Sequence, residues 1–171
     1  MYDYRPPRQN AKARYLVLGL FVAALVALFG SQFVPKFPFL LQVVGLSLFI
    51  PVIQLSTRYV FTSYLYRLHT HEQGDTDLEI YAYRGGARMQ LVCRVGLSEI
   101  TAAAPLTEAN KKPPRRMRRY NYCMDISPRD ALVLSITNGD GDCELLLCPD
   151  HVLREAFASH TEKAEEQGDG K

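Results

Sequence analysis

The sequence predicts an N-terminal transmembrane α-hairpin joined to an α+β domain, whose sheet has seven antiparallel strands and is capped by a C-terminal helix. Three observations predict it. Two long apolar runs without charge lie near the N-terminus. From about Arg58 the pattern changes from continuous apolar to alternating, the period of strands. After Cys148 the apolar spacing becomes helical. A chain of 171 residues holds one or at most two folding units.

The first run, YLVLGLFVAALVALFGSQFV (Tyr15–Val34), is about long enough to cross a ~30 Å hydrocarbon core as a helix. The second, FLLQVVGLSLFIPVIQL, spans Phe39–Leu55. Only PKFP separates them, and Pro35 and Pro38 interrupt the helix on both sides. The two runs therefore read as a hairpin over residues 15–57, behind a basic segment at 1–14. A cleaved signal has an apolar stretch of roughly 7–15 residues, shorter than the first run. A surface helix of a soluble protein is apolar on one face only, whereas Tyr15–Val34 is apolar all round. In the second span Pro51 predicts a kink. Gln42 and Gln54 are expected to face the neighbouring helix, with Gly45 as a close-packing position. Arg5, Arg8, Lys12 and Arg14 precede the first span, Arg58 and Arg67 follow the second, and the turn holds only Lys36. The positive-inside rule then places both termini in the cytoplasm of a cell-membrane protein, with Tyr15 and Tyr59 at the interfaces.

Seven strands are expected over residues 58–160. YVFTSYLYRLHT is rich in Tyr and β-branched residues, and HEQGDTD is a turn. DLEIYAY and RMQLVCRV alternate on either side of the Gly85-Gly86 turn. LSEITAA is the fourth strand, and a basic loop follows it. RRYNYCMDI, ALVLSIT and CELLLC complete the set, separated by SPRD and NGDGD turns. Pro149 and Asp150 suit the first turn of a helix, on which Val152, Leu153, Ala156 and Phe157 form an apolar face. Residues 161–171 read as a disordered polar tail.

Four strands, a long loop, three strands and a helix is an order that resembles the pleckstrin-homology-like domains. The likeness covers roughly Tyr59–His160, through LVCRVGLSEI, RYNYCMDISPRDALVLSI and CELLLCPDHVLREAF. The whole chain looks like the small bacterial membrane proteins that join a two-span hairpin to such a domain. The resemblance implies a bent sheet closed at one corner by the helix. Eukaryotic relatives often hold inositol phosphates with basic residues in the first hairpin. Here that hairpin reads HTHEQGDTD, which is acidic, so no headgroup-specific site carries over.

Charge is nearly balanced overall, with 20 Lys and Arg against 18 Asp and Glu, but it is unevenly placed. The loop KKPPRRMRR holds Lys111, Lys112, Arg115, Arg116, Arg118 and Arg119, while the tail is mostly acidic. Two adjacent prolines exclude a regular helix or ladder in the loop. A nucleic-acid binder shows a strongly basic domain, which this chain lacks. A domain that begins directly after a membrane span stays near the anionic cytoplasmic leaflet, where each Lys or Arg contributes about 1 kcal/mol. The loop is thus expected to touch that surface, with Met117 dipping into the interface. A solvated loop and an acidic protein partner, the chain's own tail included, are the competing readings.

No catalytic constellation stands out. His69 and His71 share a face at a strand end, beside Glu72 and Asp75, but lack a third ligand at fixed spacing. Cys143, Cys148 and His151 form another set, yet a separation of five on a strand puts the two thiols on opposite faces. NGDGD resembles a calcium loop without its later bidentate Glu. Ser127, Asp125 and Asp130 have no adjacent His, and no Gly-rich loop precedes a helix. The four cysteines show no C-x-x-C spacing and read as small buried hydrophobes in a reducing compartment. No cofactor or metal is expected. The sequence reads as a non-catalytic integral membrane protein whose cytoplasmic domain binds a protein or the anionic bilayer surface. The alternatives are a subunit of a larger membrane complex and a small membrane enzyme or metal-linked regulator.

Overall fold

The structure, a computed structural model, describes residues 1–7, 11–34, 36–71, 74–85, 88–114, 117–126, 128, 130–138 and 141–168, with backbone only at 138 and 162–168. The described residues form an α+β chain in two compact units. One comprises Met1–Pro7, Ser63–Cys123 and Ser127–Lys171, and the other Arg8–Thr62 with Met124–Ile126.

In the helical unit, α1 spans Lys12–Gly30 and α2 spans Pro38–Leu55. Pro38 occupies the first turn of α2, where its missing N–H costs nothing. Both helices, each with its short terminal extension, are long and apolar enough to cross a membrane. Most of their large side chains, among them Leu18, Val26, Phe29, Leu46 and Ile53, are exposed. The packed seam is narrow. Phe21 meets Phe49 edge-on at 5.9 Å. Gln42 donates to Ser31 Oγ at 3.4 Å, and Ser31 Oγ donates to the Leu28 carbonyl at 2.6 Å. Gly45 is buried against α1, so close that a Cβ there would lie 2.7 Å from Leu28 Cγ and 3.0 Å from the Ala24 carbonyl oxygen. Pro51 lies inside α2, and Gln54 is exposed. A π-helical stretch, Ser56–Phe61, carries the chain from α2 directly into the sheet unit.

The sheet unit contains two four-stranded sheets. The first runs β1 (Tyr2–Tyr4), β2 (Thr62–Thr70), β3 (Thr76–Arg84), β4 (Gln90–Gly96). A 3-10 turn, Leu97–Glu99, then moves the chain to the second sheet. Its order is β5 (Ile100–Pro105), β7 (Leu132–Asn138), β8 (Gly141–Leu147), β6 (Arg118–Asn121). The C-terminal α3 spans His151–Gly168, with Leu153 and Phe157 fully buried. Leu78, Ile80, Leu134, Ile136, Leu145 and Leu147 fill the interior. Each such side chain contributes about 1.5–3 kcal/mol by leaving water.

This arrangement departs from a seven-stranded antiparallel sheet. There are eight strands among the described residues, and β6 runs parallel to β8. The extra strand is β1, too short at Tyr2–Tyr4 to show a period and visible only through its pairing with Tyr66–Leu68. The expected first strand begins at Thr62 rather than Tyr59, because the helix persists through Phe61. The expected fourth strand, β5, pairs with β7 and not with β4. The expected fifth strand stops at Asn121. At the C-terminus the helix continues past His160 to Gly168, through EKAEEQ, all good helix formers. Gly86 and the Gly139-Asp140 turn lie outside the described residues.

The tight approach at Gly45 is testable. Gly45→Val is expected to destabilise the hairpin by about 1–3 kcal/mol through overpacking. Gly19→Ala, which meets open space, should leave it unchanged. Loss of helicity on SDS titration of the full chain in mild detergent measures both, and equal curves would refute the close packing.

Candidate functional site

The basic loop has a built base. Asn110 Nδ2 donates to the Pro105 carbonyl at 2.9 Å, and Asn110 Oδ1 accepts from Thr107 N at 2.7 Å. Met117 N donates to the Pro114 carbonyl at 3.0 Å. The central tie is Arg119. The parallel register of β6 and β8 sets Arg119 opposite Glu144. Its Nε and Nη2 both reach Glu144 Oε2 at 2.8 Å. Nη1 donates to the Lys111 carbonyl at 2.9 Å, and Nη2 to the Asn110 carbonyl at 2.8 Å. Both side chains are only 9% exposed. Arg119 therefore closes the loop instead of displaying charge.

The other cations divide differently. Lys111 Nζ pairs with Glu108 at 3.0 Å on the open surface, a contact of small energy. Lys112, Pro113, Pro114 and Arg118 are exposed, and Met117 is half-buried. Arg115 and Arg116 lie outside the described residues. The positions singled out in the helices, Gln42, Gly45 and Gln54, belong to the other unit.

A second polar constellation covers one face of the first sheet. Period-2 alternation places Asp77, Glu79 and Tyr81 on the face opposite the buried Leu78 and Ile80. Asp3 takes a two-pronged bond from Arg67, at 2.7 and 2.8 Å. The Arg67 guanidinium lies 5.2 Å over the Tyr81 ring. Tyr81 donates to Glu79 at 2.8 Å, and Arg94 reaches Glu79 at 3.7 Å and Asp77 at 2.8 Å. His71 Nε2 lies 3.0 Å from both Asp77 Oδ2 and Arg94 Nη2. It can donate to the carboxylate or accept from the guanidinium, but not both at once. His69 stands edge-on to His71 at 4.8 Å. At the end of this face an open cleft of about 400 Å³ is lined by Asp77, Arg94, Ser98, Glu99 and His160 among others.

These contacts set the electrostatics. Hydrogen bonding from Arg67 holds the Asp3 carboxyl below its ordinary range. The His71 contact, then Arg94, does the same for Asp77, with desolvation opposing. The bond to Glu79 pushes the Tyr81 phenol up. Burial pushes Tyr66 well above the ordinary phenol value. Burial also raises the Cys93 and Cys143 thiols. Among the described residues no three His, Cys, Asp or Glu side chains converge as a metal site. Glu72 and Ser127, considered from the sequence, lie outside them. What the sequence did not reveal is a thiol pair: Cys148 Sγ lies 2.8 Å from Cys123 Sγ, both buried. No sequence spacing marks a pair formed by strand register.

Comparison of the chain with known protein families, with curated proteins and with solved structures returns no match.

Two measurements check this geometry. Arg119→Met leaves Glu144 buried without its partner and is expected to cost about 3–5 kcal/mol in denaturant unfolding. Arg119→Met combined with Glu144→Leu should recover most of that loss, and an undiminished deficit would refute the buried pair. Because the Asp77 carboxyl is depressed, its contribution is present at neutral pH and fades as pH falls below the ordinary value of 3.8. Asp77→Asn should lower stability at pH 7 and flatten the acid decline, and an unchanged acid limb would count against it.

Proposed function

We propose that this chain is a non-catalytic integral membrane protein whose α1–α2 hairpin spans the bilayer and whose sheet unit lies in the cytoplasm, docking its basic loop on the anionic surface. In this reading the sheet unit works as a pleckstrin-homology-like module without a headgroup pocket. The observation that carries the docking is the Arg119 staple. By fixing Asn110 and Lys111 to β6 and β8, it holds the loop's base in place, so less ordering entropy opposes contact with a surface.

Other features support the reading. The sheet unit follows α2 without a linker, through Ser56–Phe61. The Tyr2–Tyr4 strand, before α1, pairs with β2, after α2, which supports placing both ends of the hairpin on one side. The basic flanks favour the cytoplasm for that side. The polar groups on the first sheet's face are engaged with one another, which supports structure more than chemistry there. Lys112 and Arg118 are exposed, and a cation near an anionic leaflet contributes about 1 kcal/mol, screened over a Debye length of about 8 Å.

The test uses the full chain in nanodiscs. Lys111 and Lys112 are expected to react more slowly with an acylating reagent in anionic than in neutral lipid, with the difference vanishing at high salt. Neutralising Arg118 should weaken the protection about fivefold, equivalent to ~1 kcal/mol. Equal labelling in both lipids would remove the membrane reading and leave a protein partner for the loop.

A further inference from the structure

We propose that Cys123 and Cys148 form a reversible disulfide in the folded protein, making the shared end of β6 and β8 a covalent modification site. The register builds it. Arg118 to Asn121 face Cys143 to Leu146 in parallel, and Tyr122 N continues the ladder to the Leu146 carbonyl at 2.9 Å. The same register sets Cys123 beside Cys148. Neighbouring strands lie about 4.8 Å apart. A disulfide spans Cα separations of about 4.4–6.8 Å, a range that includes the spacing of adjacent strands. The thiols already touch: Cys148 Sγ donates to Cys123 Sγ at 2.8 Å.

The surroundings hold the pair in place. Asn121 Oδ1 accepts from Cys123 N at 2.8 Å. The Cys123 thiol also reaches the Leu146 carbonyl at 3.6 Å. The Tyr66 hydroxyl accepts from Cys148 N at 3.4 Å and donates to the Tyr122 carbonyl at 2.9 Å. Ala131, Val133, Leu146 and Leu106 pack around the pair. Cys123 is fully buried and Cys148 is 8% exposed, so the oxidant has to be small. Cys93 and Cys143 are more accessible.

The oxidant is hydrogen peroxide, and the balance closes. The Cys148 thiolate attacks one peroxide oxygen, the O–O bond breaks, and the departing hydroxide leaves as water with the thiol proton. The Cys123 sulfur then attacks the sulfenic sulfur. The S–O bond breaks, the S–S bond forms, and a second water carries away the Cys123 proton. Two thiols lose two electrons and one peroxide becomes two waters. An external dithiol reverses the bond by exchange. In a reducing compartment the bond is therefore transient. Its position gives it consequence. Cys148 leads into Asp150, which caps α3 through Leu153 N at 3.1 Å and accepts the Tyr2 hydroxyl.

The test treats the full chain in detergent with hydrogen peroxide, then quenches, unfolds and alkylates it. Peptide mass spectrometry is expected to find a Cys123–Cys148 linked peptide and loss of alkylation at both, with Cys93 and Cys143 still alkylated. Dithiothreitol should restore all four. Cys123→Ser should stop the reaction at a sulfenic acid on Cys148, trapped by dimedone. The wild-type map stands without that variant should it not fold. Four alkylated cysteines, links to Cys93 or Cys143, links between chains, or the same pairing mixture as urea-unfolded chain would each overturn the proposal.

Discussion

Three residues at the N-terminus hold the two ends of a long helical excursion together. Tyr2, Asp3 and Tyr4 pair antiparallel with Leu68, Arg67 and Tyr66. The ladder alone is short, and an edge of three residues would fray. Side chains on both faces reinforce it. On one face Asp3 takes the fork of Arg67, and on the other Tyr4 rests against Tyr66 at 6.2 Å. Tyr2 adds a hydroxyl bond to Asp150, just before α3. The first strand thus bonds both to β2 and to the residue that caps α3. In the first sheet β3 and β4 build outward from β2, whose other edge β1 covers.

Tyr66 extends the same constraint inward. A buried phenol is costly unless its hydroxyl finds partners. Here the hydroxyl has two, the Tyr122 carbonyl after β6 and Cys148 N after β8. Tyr64, also buried, meets the Tyr122 ring edge-on at 5.7 Å. One strand of the first sheet therefore positions the shared end of the second sheet's parallel pair. The phenol's raised pKa follows from that burial and keeps it neutral, and so able to donate, at any ordinary pH.

The helices and the existence of most strands were legible because each depends on a local period. Tyr15–Val34 is apolar all round, and DLEIYAY alternates, whatever lies elsewhere in the chain. Pairing was not legible, because hydrogen bonds between strands leave no mark on either strand alone. LSEITAA lies next to RMQLVCRV in sequence, yet a 3-10 turn at Leu97–Glu99 sends it to β7. RYNYC reads as one more antiparallel strand, yet it lies parallel to β8 on the sheet's edge. The same blindness extended to the candidate site. Six cations in KKPPRRMRR look alike in one dimension, and only Glu144, far along the chain, separates Arg119 from the rest.

A single register explains both features that the sequence concealed. In β6 and β8, residues 119, 121 and 123 share a face with 144, 146 and 148. Along that face run the Arg119–Glu144 ion pair, Asn121 opposite Leu146, and the Cys123–Cys148 thiol pair. Slipping β6 by one residue would set Arg119 against Leu145 or Cys143, strand Glu144 in the interior and part the thiols. The buried charge makes such a slip costly, because an unpaired carboxylate in that position loses its hydration without compensation. The pair therefore favours the observed register over its one-residue neighbours. The Arg119–Glu144 pair therefore does two jobs through one geometry. It closes the base of the basic loop at one end, and at the other it fixes the distance between Cys123 and Cys148.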